Sequence, residues 1–339
     1  MSRFELMRDL LNRGKYFKLV CGAGNEDVTE VRRLALIYTL AGANAFDVSA
    51  TPEVVRACME GVDLALEYAK KIDKEIELRP FITVSVGMPG DHHVRKAFIV
   101  DDCVDCGKCI PVCPTDAIPS SYEIIQEKCI GCGNCEAVCP PKIAAVRYKH
   151  NAKGLEQILP LCLAAGAENI ELHAAVPDNE SILEEWRVVS AAQPDNFVSM
   201  CLDRAHLSNS HLIERIRAAY EISGERTLIQ ADGVPMSGGE DDFNTTLQAV
   251  GIADVIQKNL KLAYKPFANL PILLSGGTNG KTAELARMCG VPYQGISLGT
   301  HARKIVKQWT TIDGFEGDIK KIIEAIVPAK DLVDRSLSI

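Results

Sequence analysis

The sequence predicts a (β/α)8 barrel interrupted after its third strand by a small cysteine-rich unit. Eight short apolar runs are each followed by a stretch of helical periodicity, the strand–helix count of that barrel. Without the cysteine-rich unit about 285 residues remain, within the usual range for the fold. The unit breaks the alternation once and carries an internal repeat of its own. An open doubly wound sheet is the competing architecture. The eighth strand and the glycine-rich turns near the C-terminus favour the barrel.

The elements follow in order. Lys18–Gly24 (KLVCGAG) reads as strand one and VTEVRRLALIYTLAGA as its helix. Ala45–Ala50 is strand two. Thr51 is a plausible N-cap with Pro52 at the first helical position of TPEVVRACMEGVDLALEYAKK. Arg79–Gly87 is strand three. Beyond the interruption LEQILPLCLAAGA is helical, and Glu168–Ala174, Asn196–Arg204 and Arg226–Gly233 are strands four, five and six. Leu270–Gly277 and Tyr293–Gly299 complete the set, with HARKIVKQW a short final helix and one or two helices beyond Gly314. Four segments result: residues 1–95 form the first part of the barrel and 96–149 the insertion. Residues 150–312 form the remainder, and 313–339 a helical tail.

The interruption holds eight cysteines in two copies of C-x2-C-x2-C-x3-C-P: Cys103, Cys106, Cys109, Cys113, and Cys129, Cys132, Cys135, Cys139. Ferredoxins of the bacterial type use this run for [4Fe–4S] clusters, the fourth cysteine of each run reaching the other cluster. The reading is therefore two clusters, one on Cys103, Cys106, Cys109 and Cys139, the other on Cys129, Cys132, Cys135 and Cys113. Zinc sites use four ligands, usually in two separated pairs, and two triplets with trailing Cys-Pro do not group that way. Gly107, Gly131 and Gly133 let the backbone wrap closely. The unit has too little apolar content for a core of its own, so metal–sulfur bonds are expected to cross-link it.

Composition limits the remaining classes. The 339 residues are 47% hydrophobic and 24% charged, ordinary for a globular protein. The first twenty residues resemble no signal peptide, no run approaches the length of a membrane span, and a cytoplasmic, reducing location is expected. A net charge of -8 argues against a general nucleic-acid surface. Of the thirteen cysteines, Cys21, Cys58, Cys162, Cys201 and Cys289 lie outside the motifs and read as buried free thiols.

Two turns near the C-terminus suggest a phosphate site. Leu274–Ala286 (LSGGTNGKTAELA) is strand, glycine turn and helix start, and Ile296–Lys304 repeats the logic. Barrels commonly bind phosphate there, on backbone N–H groups at helix N-termini. Gly276, Gly277, Gly280 and Gly299 allow close approach; Ser275, Thr278, Asn279, Lys281 and Thr300 add polar groups. The Walker spacing is absent. By fold-level analogy with flavin-binding barrels of the dihydroorotate dehydrogenase type, FMN or another phosphate-bearing ligand is expected. Tight turns that merely close the barrel are the alternative.

Barrel chemistry sits at strand C-termini. Candidates there are Cys21, Asn25, Asp27, Asp47, Ser49, His92, His93, Arg95, Glu171, His173, Cys201, Asp203, Gln230 and Asp232. Residues two apart, such as Glu171 and His173, share one strand face. No G-x-S-x-G elbow, H-E-x-x-H helix or radical-type C-x3-C-x2-C run is present, so no catalytic residue is assigned.

The paired cysteine motifs, together with LIQADGVPMSGG and LPILLSGGTNGKTAELA, resemble the cyanobacterial light-dependent period (LdpA) family over essentially the whole chain. The resemblance implies an iron–sulfur redox protein of a photosynthetic microbe that links redox state to the circadian clock. Its implied partners are a ferredoxin- or quinone-linked redox carrier and clock proteins. It transfers no catalytic residues. Two functions stand side by side: a redox sensor or relay, and a ferredoxin-fused oxidoreductase passing electrons to a ligand at the barrel mouth. Clusters that only staple a scaffold are a third reading.

Overall fold

Helix α1 (Arg3–Asn12) opens with a reciprocal cap: Ser2 Oγ accepts from Glu5 N–H, and the Glu5 carboxylate accepts from Ser2 N–H. The computed structural model describes residues 1–22, 26–87, 95–126, 128–129, 134–150, 153–174, 178–204, 207–233 and 241–337.

Eight parallel strands close a barrel. They are β1 (Tyr16–Val20), β2 (Ala45–Ser49), β3 (Phe81–Val86), β6 (Asn169–His173), β7 (Val198–Leu202), β8 (Thr227–Asp232), β9 (Ile272–Ser275) and β10 (Gly295–Leu298). Each follows its neighbour in sequence order, and β10 returns to β1. The predicted barrel is thus the observed fold, with seven strands trimmed at their ends and strand one shifted toward the N-terminus. Strand one differs most, starting at Tyr16 rather than Lys18 and ending at Val20.

The barrel helices are α2 (Val28–Ala41), α3 (Pro52–Lys71), α5 (Lys153–Ala164), α6 (Asn179–Ala192), α7 (Asn209–Ser223), α8 (Leu247–Ile256), α9 (Thr282–Met288) and α10 (Thr300–Thr310). Asp27 caps α2 by accepting from Glu30 N–H, and Gly42 ends it at φ 99°, a left-handed turn that favours glycine. Thr51 does occupy the N-cap of α3 with Pro52 following, although its side chain makes no capping bond. The tail is a 3-10 turn, Phe315–Gly317, and one long helix, α11 (Ile319–Leu337).

Alternation along the strands builds two cores. Phe17, Leu19, Phe46, Ile170 and Leu172 face outward and pack under the helices with Leu34, Tyr38 and Trp186. Tyr16, Ala45, Phe81, Phe197, Leu228 and Leu273 form a second cluster that α1 closes with Met7, Leu10 and Leu11. This cluster lies at the N-terminal ends of the strands. The first residues are thus the plug of the barrel floor, a role that their sequence does not announce.

The cysteine-rich unit follows β3, where the prediction put it. Strands β4 (Arg95–Ile99) and β5 (Val146–His150) pair antiparallel, from Arg95 opposite His150 to Ile99 opposite Val146. Between them lies a one-turn helix, α4 (Asn134–Val138). The expectation that the unit lacks a core is corrected. Ala97, Ala117, Ile118, Ile124 and Val146 bury one another together with Cys109, Cys129 and Cys135. Small residues and cysteine sulfur reach close packing where larger side chains are scarce. Among the described residues, no helix is long and apolar enough to cross a membrane.

Candidate functional site

In the cysteine-rich lobe, Cys103, Cys106, Cys109 and Cys139 line one hollow together with Ile99, Tyr122, Pro140 and Val146. Three cysteines of the first motif therefore face the last cysteine of the second. Gly107 sits at φ 73°, the left-handed turn that lets Cys106 and Cys109 bend around the same space. Burial raises the Cys109 pKa, and the neighbouring Cys103, Cys106 and Cys139 add to the rise.

Backbone N–H groups point at the sulfurs. Ala97 N donates to Cys129 Sγ at 3.4 Å, Ala117 N to Cys113 Sγ at 3.2 Å, and Ala145 N to Cys139 Sγ at 3.3 Å. Burial alone raises the Cys113 pKa, but N–H groups of Thr115, Ala117 and Ile118 outweigh it and lower the net value. Such donors stabilise negative sulfur and tune iron–sulfur centres. The donor set fits thiolate ligation of a cluster. Cys132, Gly131 and Gly133 lie outside the described residues.

A second constellation fills the barrel interior. Lys18 Nζ on β1 lies 2.5 Å from Asp47 Oδ2 on β2 and 2.5 Å from Glu171 Oε2 on β6. Ser85 Oγ donates to Asp47 Oδ1 at 2.5 Å, and Ser199 Oγ to Glu171 Oε2 at 3.0 Å. His173 Nε2 stands 3.6 Å from Glu171 Oε1. The Cys201 thiol hydrogen-bonds the Asp232 carboxylate. Buried Gln230 has no partner for either amide atom among the described residues.

Electrostatics follow from two carboxylates around one ammonium, with Asp232 buried beside Cys201. Burial favours the neutral amine of Lys18, but Asp47 and Glu171 outweigh it and raise its pKa, so it stays charged. Burial and then the Asp47 charge push Glu171 up to about 7. Burial pushes Asp232 up to about 6, with His173 and Cys201 opposing the rise. Cys201 is raised well above an ordinary thiol by burial, then by Asp232. It is held as a thiol.

The structure sorts the strand-end candidates. Asp47, Glu171, His173, Cys201, Gln230 and Asp232 face the interior together. Asp27 is spent as a helix cap. Ser49 Oγ bonds Thr51 Oγ1 at 3.4 Å. Cys21 is buried near Cys58. Asn25, His92 and His93, and the side chain of Arg95, lie outside the described residues. Of the five spare cysteines, Cys21, Cys58, Cys162 and Cys201 are buried as expected, but Cys289 is exposed. Lys18, Ser85 and Ser199 were missed. Lys18 sits between outward-facing Phe17 and Leu19, so strand alternation already aims it inward.

Three side chains of the first glycine-rich turn are held within the protein. Thr278 Oγ1 donates to Ser297 O at 2.6 Å, and Asn279 Nδ2 to Asp242 O and Thr245 Oγ1, both at 2.8 Å. Lys281 Nζ pairs with Glu284 at 2.9 Å. Gly276, at φ 60°, fits against Asp232 and Gly233, and Gly280 against Arg335. Gly299 precedes α10, which starts at Thr300. Arg303 beside them donates to Val20 O at 2.8 Å. The Thr278 and Asn279 bonds tie the turn after β9 to β10 through Ser297 and to the segment before α8 through Asp242 and Thr245.

Family models match three stretches. Residues 97–118 match a 4Fe-4S binding domain and residues 112–149 the LdpA Fe-S cluster-binding domain. Residues 161–334 match the light dependent period A C-terminal domain. Light dependent period A of Synechococcus elongatus is 33% identical over 279 residues, covering 81% of this chain and 74% of its own. Among solved structures, the YdjI aldolase from Escherichia coli K12 aligns at TM-score 0.46 and 10% identity, covering 96% of each chain. Dihydrodipicolinate synthase from Oceanobacillus iheyensis aligns at TM-score 0.43 and 11% identity, covering 94% of this chain and 79% of its own. With residues 161–334 matched by the family's C-terminal domain, the cysteine lobe by its cluster-binding domain, and a relative 33% identical across 81% of the chain, the chain is an iron–sulfur protein that belongs to the light dependent period A family.

Proposed function

We propose that the lobe holds two [4Fe–4S] clusters with crossed ligation and that the protein relays or senses redox state for a circadian clock. The observation that carries the reading is the hollow lined by Cys103, Cys106, Cys109 and Cys139, which mixes the two motifs as crossed ligation requires. Cys113, Cys129, Cys132 and Cys135 are then the second set. Clusters of this kind supply one-electron transfer when bound. The chain's own part is to hold the thiolates, aim Ala97, Ala117 and Ala145 N–H groups at them, and shield Cys109, Cys129 and Cys135 from water. The clock connection comes from the name of the Synechococcus relative.

A tenfold change in oxidised-to-reduced ratio takes about 59 mV for one electron, so a sensor needs potentials near the ambient poise. Anaerobic protein should contain about eight iron atoms per chain and give two EPR signals on reduction. Titration should place at least one midpoint near the cellular poise. Four irons, or both midpoints several hundred millivolts below that poise, would sink the sensor reading.

A second reading, an oxidoreductase acting at the barrel mouth, is favoured by the buried Lys18–Asp47–Glu171 network. So many polar groups are costly to bury for packing alone. A flavin spectrum in the same preparation would support it and would restore FMN as a ligand.

A further inference from the structure

We propose that Glu171, His173 and Cys201 form a binding site for a divalent transition metal of the zinc type, inside the barrel and separate from the cysteine lobe. The proposal does not rest on the cluster reading. One carboxylate oxygen, one imidazole nitrogen and the thiol sulfur all lie within 4.8 Å of one another. A tetrahedral ion with bonds of about 2.0–2.3 Å holds its ligand atoms roughly 3.5 Å apart, so small side-chain adjustments close the shell. The backbone sets this convergence. Glu171 and His173 are two apart on β6, and Cys201 on β7 is the register partner of His173.

The surroundings are those of a prepared site. Lys18 and Ser199 both engage Glu171 Oε2, which leaves Oε1 directed to His173. Such outer partners fix the orientation of metal-binding carboxylates. Asp232 hydrogen-bonds the thiol of Cys201. Asp47, Glu171 and Asp232 carry three negative charges when ionised, and Lys18 supplies one positive charge, so the interior has room for a dication.

An independent observation points to a further ligand. Gln230, the register partner of Cys201, is fully buried, and among the described residues neither its amide nitrogen nor its oxygen has a partner. A buried primary amide left unpaired is expensive. A water or small molecule in the open fourth position of the metal would give Gln230 something to bind. The mixed N, O and S donor set suits zinc better than calcium or magnesium, which prefer oxygen alone. Binding forms one metal–sulfur bond and releases the Cys201 proton to solvent, with no change in oxidation state.

The test uses full-length protein purified anaerobically with its iron, incubated with zinc sulfate and desalted. Wild type should retain about one zinc per chain, and Cys201→Ser and His173→Ala less than about a tenth of that, with iron content and visible absorbance unchanged. The zinc K-edge X-ray absorption of wild type should show a single sulfur among nitrogen and oxygen neighbours. That spectrum needs no variant, so it decides even if the variants fold poorly. Zinc retained equally by all three proteins, a four-sulfur shell from zinc in the cysteine lobe, or no zinc in wild type would each overturn the site.

Discussion

Glu171 Oε2 lies 2.5 Å from Lys18 Nζ, and neither side chain is more than 4% exposed. The pair spans the barrel interior, from β1 to β6, and Asp47 joins it from β2. Removing the cation leaves two carboxylates buried without compensation. Lys18→Met should therefore cost about 3–5 kcal/mol in urea unfolding, and Glu171→Gln in the same background should recover part of it. A loss below about 1 kcal/mol would mean that water already reaches the network.

Crossed ligation makes a pairing testable by spectroscopy. Cys139→Ala and Cys103→Ala should abolish the same EPR signal, although they lie in different motifs. Cys113→Ala should abolish the other signal, together with Cys129→Ala. Grouping by motif instead of across motifs would refute the crossing.

Two glycines predict opposite signs. A Cβ on Gly276 would collide with Asp232 Oδ1 and the backbone of Gly233, in a left-handed turn at φ 60°. Gly276→Ala should destabilise by about 1–3 kcal/mol. Gly251, inside α8, has open space where its Cβ would stand. Gly251→Ala should stabilise by about 0.5–1 kcal/mol through helix propensity. Thermal unfolding of the two variants side by side reads both signs.

Lys261 gives a pH signature. Burial lowers its pKa to about 8 from the ordinary 10.5, while its Nζ donates to Leu270 O at 2.6 Å. The folded state then binds fewer protons than the unfolded state between those values. Its contribution to stability should rise as pH goes from about 8 to 10.5 and be flat below 8. Subtracting the profile of Lys261→Met isolates this from other groups titrating in the range. A difference curve without slope there would refute the burial cost.

The eight strands were legible because parallel strands covered by helices read as continuous apolar runs, and each run ended in a turn signal. Lys18 was hidden by a boundary error of two residues. Starting strand one at Lys18 puts the lysine at an edge, where it looks solvated; starting it at Tyr16 puts it mid-strand and inside. The glycine pattern around Gly276–Lys281 was visible too. What it could not reveal is that Asp242, Thr245 and Ser297, remote in sequence, consume the polar groups of Thr278 and Asn279. Local spacing identifies chemistry that one segment performs alone, as with the cysteines. It reads chemistry assembled from five strands only in part: Asp47 and Glu171 stand out at strand ends, while Lys18, Ser85 and Ser199 do not.

The pairing of Arg95 with His150 carries an evolutionary consequence. Opposed residues in an antiparallel ribbon stand about 5 Å apart, so the chain leaves for the cysteine lobe and comes back through one doorway. The two ends already stand where an ordinary short loop would join them. A lobe hung this way is a cassette: its gain or loss rewrites one connection and leaves the strand order, the floor plug and the polar interior of the barrel as they are.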